Sequence, residues 1–312
     1  MICESEHESL QQVLVSLRAG ELERAHGELN RILQHALNDP LVLYTLAGVN
    51  FWREKIGSLR DKATPFEKGE FLVSQWRTFL PYMQEKGAEN DSVLYALKRC
   101  AFSKALEFYQ CLYREDGSTQ DPEIYRKAGL CYKALGDYER ALRLLEQAKD
   151  GNRESAAILA ELADCYALCG EMRFSKVLFR EAFFKDAGKV ELYFLESEII
   201  LRLARQVGDM GYKGEELAEW IPVYGLLFGV FNVKRGLRSV EVGKLKQNIF
   251  FLKTEIKTAP PERKALLVPR LINHYFWLID HCVNTDNDRA KINEILLEIK
   301  LLDEKIYQKY TM

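Results

Sequence analysis

Apolar residues recur every three or four positions along nearly the whole chain, the period of helices that each bury one stripe. Leu10, Val13, Leu14 and Leu17 share a face over 5–18, and after a break at Gly20 the stripe resumes with Leu22, Ala25, Leu29, Ile32 and Leu33 over 21–37. Alternating runs of β-branched residues between turn signals, the mark of strands, do not appear. The pattern predicts an all-α protein with helices over 5–18, 21–37, 41–53, 65–85, 91–114, 122–134, 138–149, 155–168 and 172–186. Looser helical segments follow near 189–206, 215–231, 239–257, 262–284 and 287–309.

Punctuation supports these boundaries. Asp39 before Pro40 and Asp121 before Pro122 each offer a side-chain acceptor at the N-cap and a proline at the first helical position, where no amide donor is needed. Thr64, Pro65 and Glu67 form a cap signature with a glutamate three residues after the hydroxyl. The stretch "REKIGSLRDKAT" over 53–64 is charged and interrupted by Gly57, so it is expected to be a loop or irregular insertion. Pro81 is expected to kink the helix it falls in, and Pro222 and Gly225 to interrupt theirs. "REDGSTQDP" reads as a turn.

One internal match is specific. "YRKAGLCYKALGDYERALRLLEQAK" (125–149) and "LAELADCYALCGEMRFSKVLFREAF" (159–183) repeat their large and small residues 34 positions apart. The pairs are Tyr132 and Tyr166, Gly136 and Gly170, Ala141 and Ser175, Leu145 and Phe179, and Ala148 and Ala182. Small residues at Gly129 and Ala163 let a first helix approach a second, and large ones fill the space between. A helix–turn–helix unit of this period leaves an apolar face that only a neighbouring unit covers.

On these residues the chain resembles the tetratricopeptide repeat family. Tyr125, Ala128, Gly129 and Tyr132 fall on its motif, as do Tyr44, Ala47, Gly48 and Phe51, with a weaker copy at Leu159, Leu162, Ala163 and Tyr166. Gly20, Ala25 and Leu29 match Gly136, Ala141 and Leu145, and "SKALEFY" supplies Ala105 and Tyr109. The resemblance implies a right-handed superhelix over 1–188, strongest at 121–187 and interrupted by an insertion at 53–90. A C-terminal helical region, 189–312, would pack against it and cap it. The proline that ends the family's repeat is missing from both strong copies.

The resemblance also implies a protein or partner helix held along the inner face of the first helices. The residues expected to make that contact are Arg126, Leu130, Lys133, Asp164 and Leu168. Leu130 stands where some members carry the asparagine of a clamp for chain-terminal carboxylates, so that ligand is not expected. The expected function is a non-enzymatic interaction scaffold, self-association included. The alternative is a small-molecule- or lipid-binding helical protein with Tyr224, Phe228 and Phe231 around a pocket. Those three belong to "WIPVYGLLFGVFNV" (220–233), the most apolar stretch of the chain and too short to span a bilayer.

Composition narrows the remaining classes. In 312 residues, 44 basic and 46 acidic side chains leave a net charge of −2, which gives no overall attraction to nucleic acid or anionic membrane. Seven cysteines without metal-binding spacing fit a reducing compartment, and a cytoplasmic location is expected. "MICESEHESL" lacks the features of a secretion signal, although Cys3 could mimic a lipidated cysteine in a trimmed chain.

Four groups of residues invite chemistry, and each has a plainer reading. His274 and His281 share a helix face but lie two turns apart, about 10 Å of rise, too far for one metal ion. Cys165 and Cys169 are one turn apart on a core helix, where packing explains them better than redox chemistry. The basic run Lys234, Arg235, Arg238, Lys244 and Lys246 could touch phosphate, but it includes Glu241 and lacks interleaved aromatics; a solvated segment is expected. Carboxylates such as Glu215 and Glu216 lie on a charged helix. No phosphate-loop, dinucleotide, zinc-protease or nucleophile-elbow motif occurs, and no catalytic residue, metal or cofactor is expected.

Overall fold

The computed structural model describes residues 4–35, 37–87, 90–113, 121–233, 235–285 and 289–311. Among them the chain forms fifteen α-helices and no strand. It divides into two compact units, Met1–Gly151 and Asn152–Met312. The predicted turn over 114–120, Cys3 and Lys234 lie outside the described residues.

The first unit contains α1 (Glu4–Arg18), α2 (Leu22–Leu33), α3 (Pro40–Gly57), α4 (Pro65–Glu85), α5 (Asp91–Gln110), α6 (Pro122–Ala134) and α7 (Tyr138–Gly151). Three of these helices begin where the cap residues predict. Asp39 accepts from the amides of Leu41 and Val42 at 2.9 and 3.0 Å, and Asp121 accepts from that of Glu123 at 2.9 Å. Thr64 Oγ1 accepts from Glu67 N at 3.2 Å while the Glu67 carboxylate accepts from Thr64 N at 3.1 Å, completing a capping box. The interval 53–64 is more regular than expected. Helix α3 runs on to Gly57 and passes into a 3-10 turn over Ser58–Asp61 that buries Leu59, because Glu54 and Lys55 are good helix formers. Trp52, Trp76, Phe79 and Phe102 pack ring against ring inside this unit.

The second unit contains α8 (Ala156–Leu168), α9 (Met172–Asp186), α10 (Glu198–Gly208), α11 (Gly214–Leu227), α12 (Ser239–Thr258), α13 (Pro261–Thr285), α14 (Arg289–Leu302) and α15 (Glu304–Thr311). One core joins α8 and α9 to the C-terminal helices, with Phe179, Phe183, Leu203, Ile221, Phe231, Ile272, Phe276 and Ile299 all buried. Three sequence expectations are corrected here. The helix expected over 189–206 begins only at Glu198. The preceding residues form two 3-10 turns that bury Val190, Phe194 and Leu195 instead of presenting one helical stripe. The helix expected over 287–309 is two helices, because Asp303 accepts from Lys305 N and Ile306 N and starts a new one. Pro222 lies inside α11 without ending it.

The two hairpins α6–α7 and α8–α9 begin and turn 34 residues apart and share their turn chemistry. Gly136 and Gly170 both have φ of +83°, a conformation open to glycine. Gly136 N donates to Lys133 O and Gly170 N to Ala167 O; Asp137 N donates to Tyr132 O and Glu171 N to Tyr166 O, all at 2.9–3.0 Å. This is the paired bond set that ends a helix in the left-handed conformation. The α1–α2 turn repeats it, with Gly20 at φ +79° and Glu21 N donating to Ser16 O at 2.9 Å. Inside α6–α7, a Cβ on Gly129 would lie 2.8 Å from Leu145 Cγ, so the small residue sets how closely the helices pack.

Candidate functional site

The residues expected on an open inner face are mostly enclosed. Arg126, Leu130 and Lys133 are buried, and Arg126 Nε is bound to the Glu123 carboxylate at 2.8 Å within its own helix. Asp164 is fully buried, and its two oxygens accept from Glu196 N and Ser197 N at 2.9 and 2.8 Å. The carboxylate therefore holds the chain entering α10 against α8, at the positive end of the α10 dipole. These four residues do not present a free surface in this structure; for Asp164 the physical cause is that the chain entering α10 occupies this face of α8. Leu168 differs. It is half-buried and lines a groove.

That groove has a volume of about 850 Å³ and lies wholly within the second unit. One wall is the end of α8 and the start of α9, the other is α10, and residues 228–230 after α11 form the rim. Leu168, Met172, Ile199, Leu203, Phe228 and Val230 supply its apolar lining. Met172 and Phe228 each keep 41% of their surface exposed, far more than core side chains do. Lys176 from α9 and Arg202 from α10 line the opposite walls, and neither is in an ion pair among the described residues. Glu198 stands in the first turn of α10, where its charge favours the helix it begins.

Of the three aromatics expected around a pocket, only Phe228 is in the groove. Phe231 is a core residue. Its backbone N–H donates to Gly225 O at 2.8 Å, and its ring lies between Phe179 and Phe183. Tyr224 is buried in a cluster with Tyr212, Trp220 and Phe228, with the Lys309 ammonium over its ring. The expectation that all three line one site is thus corrected: the polypeptide bends sharply after α11, so Phe231 points inward while Phe228 remains at the rim. Gly225 makes the bend fit. A Cβ there would lie 2.6 Å from Phe231 Cε2 and 3.1 Å from Leu203 Cδ2. Gly225→Ala is expected to destabilise the protein by about 2 kcal/mol through overpacking, measured as a lower urea midpoint.

Other surfaces carry less. A larger depression of about 1020 Å³ in the first unit surrounds the Gly20 turn, but most of its charges are already matched. Arg24 pairs with Glu21 and Glu28, Arg53 with Glu23, and Lys104 with Glu107. Of the basic run, Arg235 is bound to Glu241 at 2.8 Å and lies 3.5 Å from Glu181. The Arg235 hydrogen bond, assisted by Arg238, holds the Glu241 carboxyl down to about 2. Cys165 is buried and Cys169 exposed. Among the described residues no group of three or more His, Cys, Asp or Glu side chains could hold a metal ion, and no helix is long and apolar enough to cross a membrane.

The sequence reading selected Leu168 and Phe228 for different reasons, and the groove brings them together. It missed Lys176 and Arg202, which carry no motif. Their only signal is their place one turn into α9 and midway along α10, visible once both are known to line one groove. No protein-family model and no curated protein matches the chain.

Proposed function

We propose that the protein is a non-enzymatic interaction scaffold of tetratricopeptide-like construction, which holds a partner segment in the groove between α8–α9 and α10. The observation that carries this reading is the groove's make-up: an open channel lined by apolar side chains, two of them well exposed, with positive charge on both walls. The repeat reading draws support from the turns at Gly20, Gly136 and Gly170, which use the same hydrogen bonds. Binding relies on burial of apolar surface, with charge setting the register.

A second reading has one observation in its favour. Phe228 lines the groove, so a small amphiphile such as a fatty acid would also find an apolar wall and a cation there. Selection of helical peptides by display against the full chain separates the two. The selected peptides are expected to bind at least tenfold more weakly to Phe228→Asp while its circular dichroism is unchanged. Recovery of no peptide sensitive to that substitution would remove the groove from the account.

A further inference from the structure

We infer that the groove's occupant is an acidic amphipathic helix, about two turns of which lie between the walls; this rests on the docking function proposed above. Volume is the first argument. A groove of about 850 Å³, open to solvent, is large enough to take the side chains on one face of a short helix. The lining is the second. Leu168, Leu203 and Phe228 form an apolar floor and rim for one face of a helix, as in helix-in-groove recognition. Charge is the third and selects the sign. Lys176 on α9 and Arg202 on α10 both line the groove and have no ion-pair partner among the described residues, so both charges are open to an anionic group.

Glu198, the groove's single carboxylate, precedes Arg202 by one turn yet makes no ion pair with it. It serves the N-terminus of α10, leaving the two cations to face outward ligands. A basic helix would leave both cations opposed by like charge, which selects against it. The arginine suits a paired, two-oxygen contact with a carboxylate and the lysine a point contact. The occupant therefore carries leucine-like anchors at i, i+3 or i+4, and i+7, with glutamates or aspartates on both flanks of that stripe.

The test uses the full chain and four fluorescent probes: a 14-residue helical peptide with leucine anchors and flanking glutamates, its lysine counterpart, the glutamate peptide broken by a central proline, and dodecanoate. The glutamate peptide is expected to bind at least tenfold more tightly than the lysine and proline peptides. Lys176→Glu/Arg202→Glu is expected to reverse the charge preference, with circular dichroism and urea midpoint unchanged. Equal binding of the two charged peptides, or preference for the lysine peptide, overturns the acidic-helix inference and leaves the docking function standing. Binding of dodecanoate alone overturns both. Self-association that the charge reversal abolishes, seen by sedimentation, assigns the groove to a second copy and overturns the inference.

Discussion

Arg180→Leu is expected to cost the second unit about 3–5 kcal/mol, the penalty for breaking a buried ion pair from one side. Arg180 from α9 is almost completely enclosed. Its guanidinium binds the equally buried Asp280 of α13, donates to Val233 O at 2.7 Å, and lies 4.6 Å over the Trp277 ring. One side chain thereby ties together α9, the segment after α11, and α13. Removing it takes the guanidinium from the buried Asp280 carboxylate and a hydrogen bond from Val233 O in a low-dielectric interior. The double variant Arg180→Leu/Asp280→Leu should be more stable than Arg180→Leu alone, because the buried carboxylate that faced the guanidinium is removed with it. Urea unfolding monitored by circular dichroism checks both. A single-variant loss under about 1 kcal/mol would mean that the pair is solvated in solution, as exposed pairs of that worth are.

Acid should destabilise the same unit through His274, and the expected loss between pH 7 and pH 5 is about 2 kcal/mol. The imidazole is buried on α13, its Nδ1–H donates to Arg270 O at 2.8 Å, and the Phe184 ring lies 5.1 Å away. Burial, reinforced by the Arg270 charge, pushes its pKa down to about 4; the backbone hydrogen bond opposes the shift only in part. Because the folded value lies below the unfolded one, the unfolded chain binds more protons in between. The neutral ring's contribution is present above about pH 6.5 and is lost as pH falls through about 4. Glu219 acts in the opposite sense. Burial holds its carboxyl above the usual range despite the Arg270 fork, with Nε 3.2 Å from both oxygens. Its contribution is present below the unfolded value and is lost as pH rises through the folded one. Its window rises from the ordinary carboxylate range and so offsets part of the His274 slope, and comparison with a His274 variant isolates the imidazole. His274→Gln retains an amide donor for Arg270 O and should show a flatter stability profile across that window. An unchanged slope in the variant would assign the acid sensitivity elsewhere.

Local signals were the legible part of this chain. Asp39–Pro40, Thr64–Pro65–Glu67 and Asp121–Pro122 mark helix starts because each cap is satisfied by amides two or three residues away. The 34-residue register was legible because Gly136 and Gly170 each end a helix by bonds within five residues. What failed depends on distance along the chain. The fate of 189–197 is decided by Asp164, 32 and 33 residues upstream, so its apolar residues imitate a helix in isolation. Arg180 and Asp280 are 100 residues apart, and nothing in either neighbourhood announces the other. The groove was half legible. Its apolar members belong to stretches conspicuous in the sequence, whereas Lys176 and Arg202 look like any solvated cations until the fold brings them to one groove.

The three glycine turns bear on how this chain acquires its structure during synthesis. Helices α6 and α7 meet across a connection of three residues, as do α8 and α9, and α1 and α2. Such neighbours find each other without a long search, because short loops close in well under a microsecond whereas ribosomes add roughly 5–20 residues per second. Each hairpin can therefore collapse soon after its last residue leaves the exit tunnel, offering an emerging neighbour a ready apolar face to condense upon.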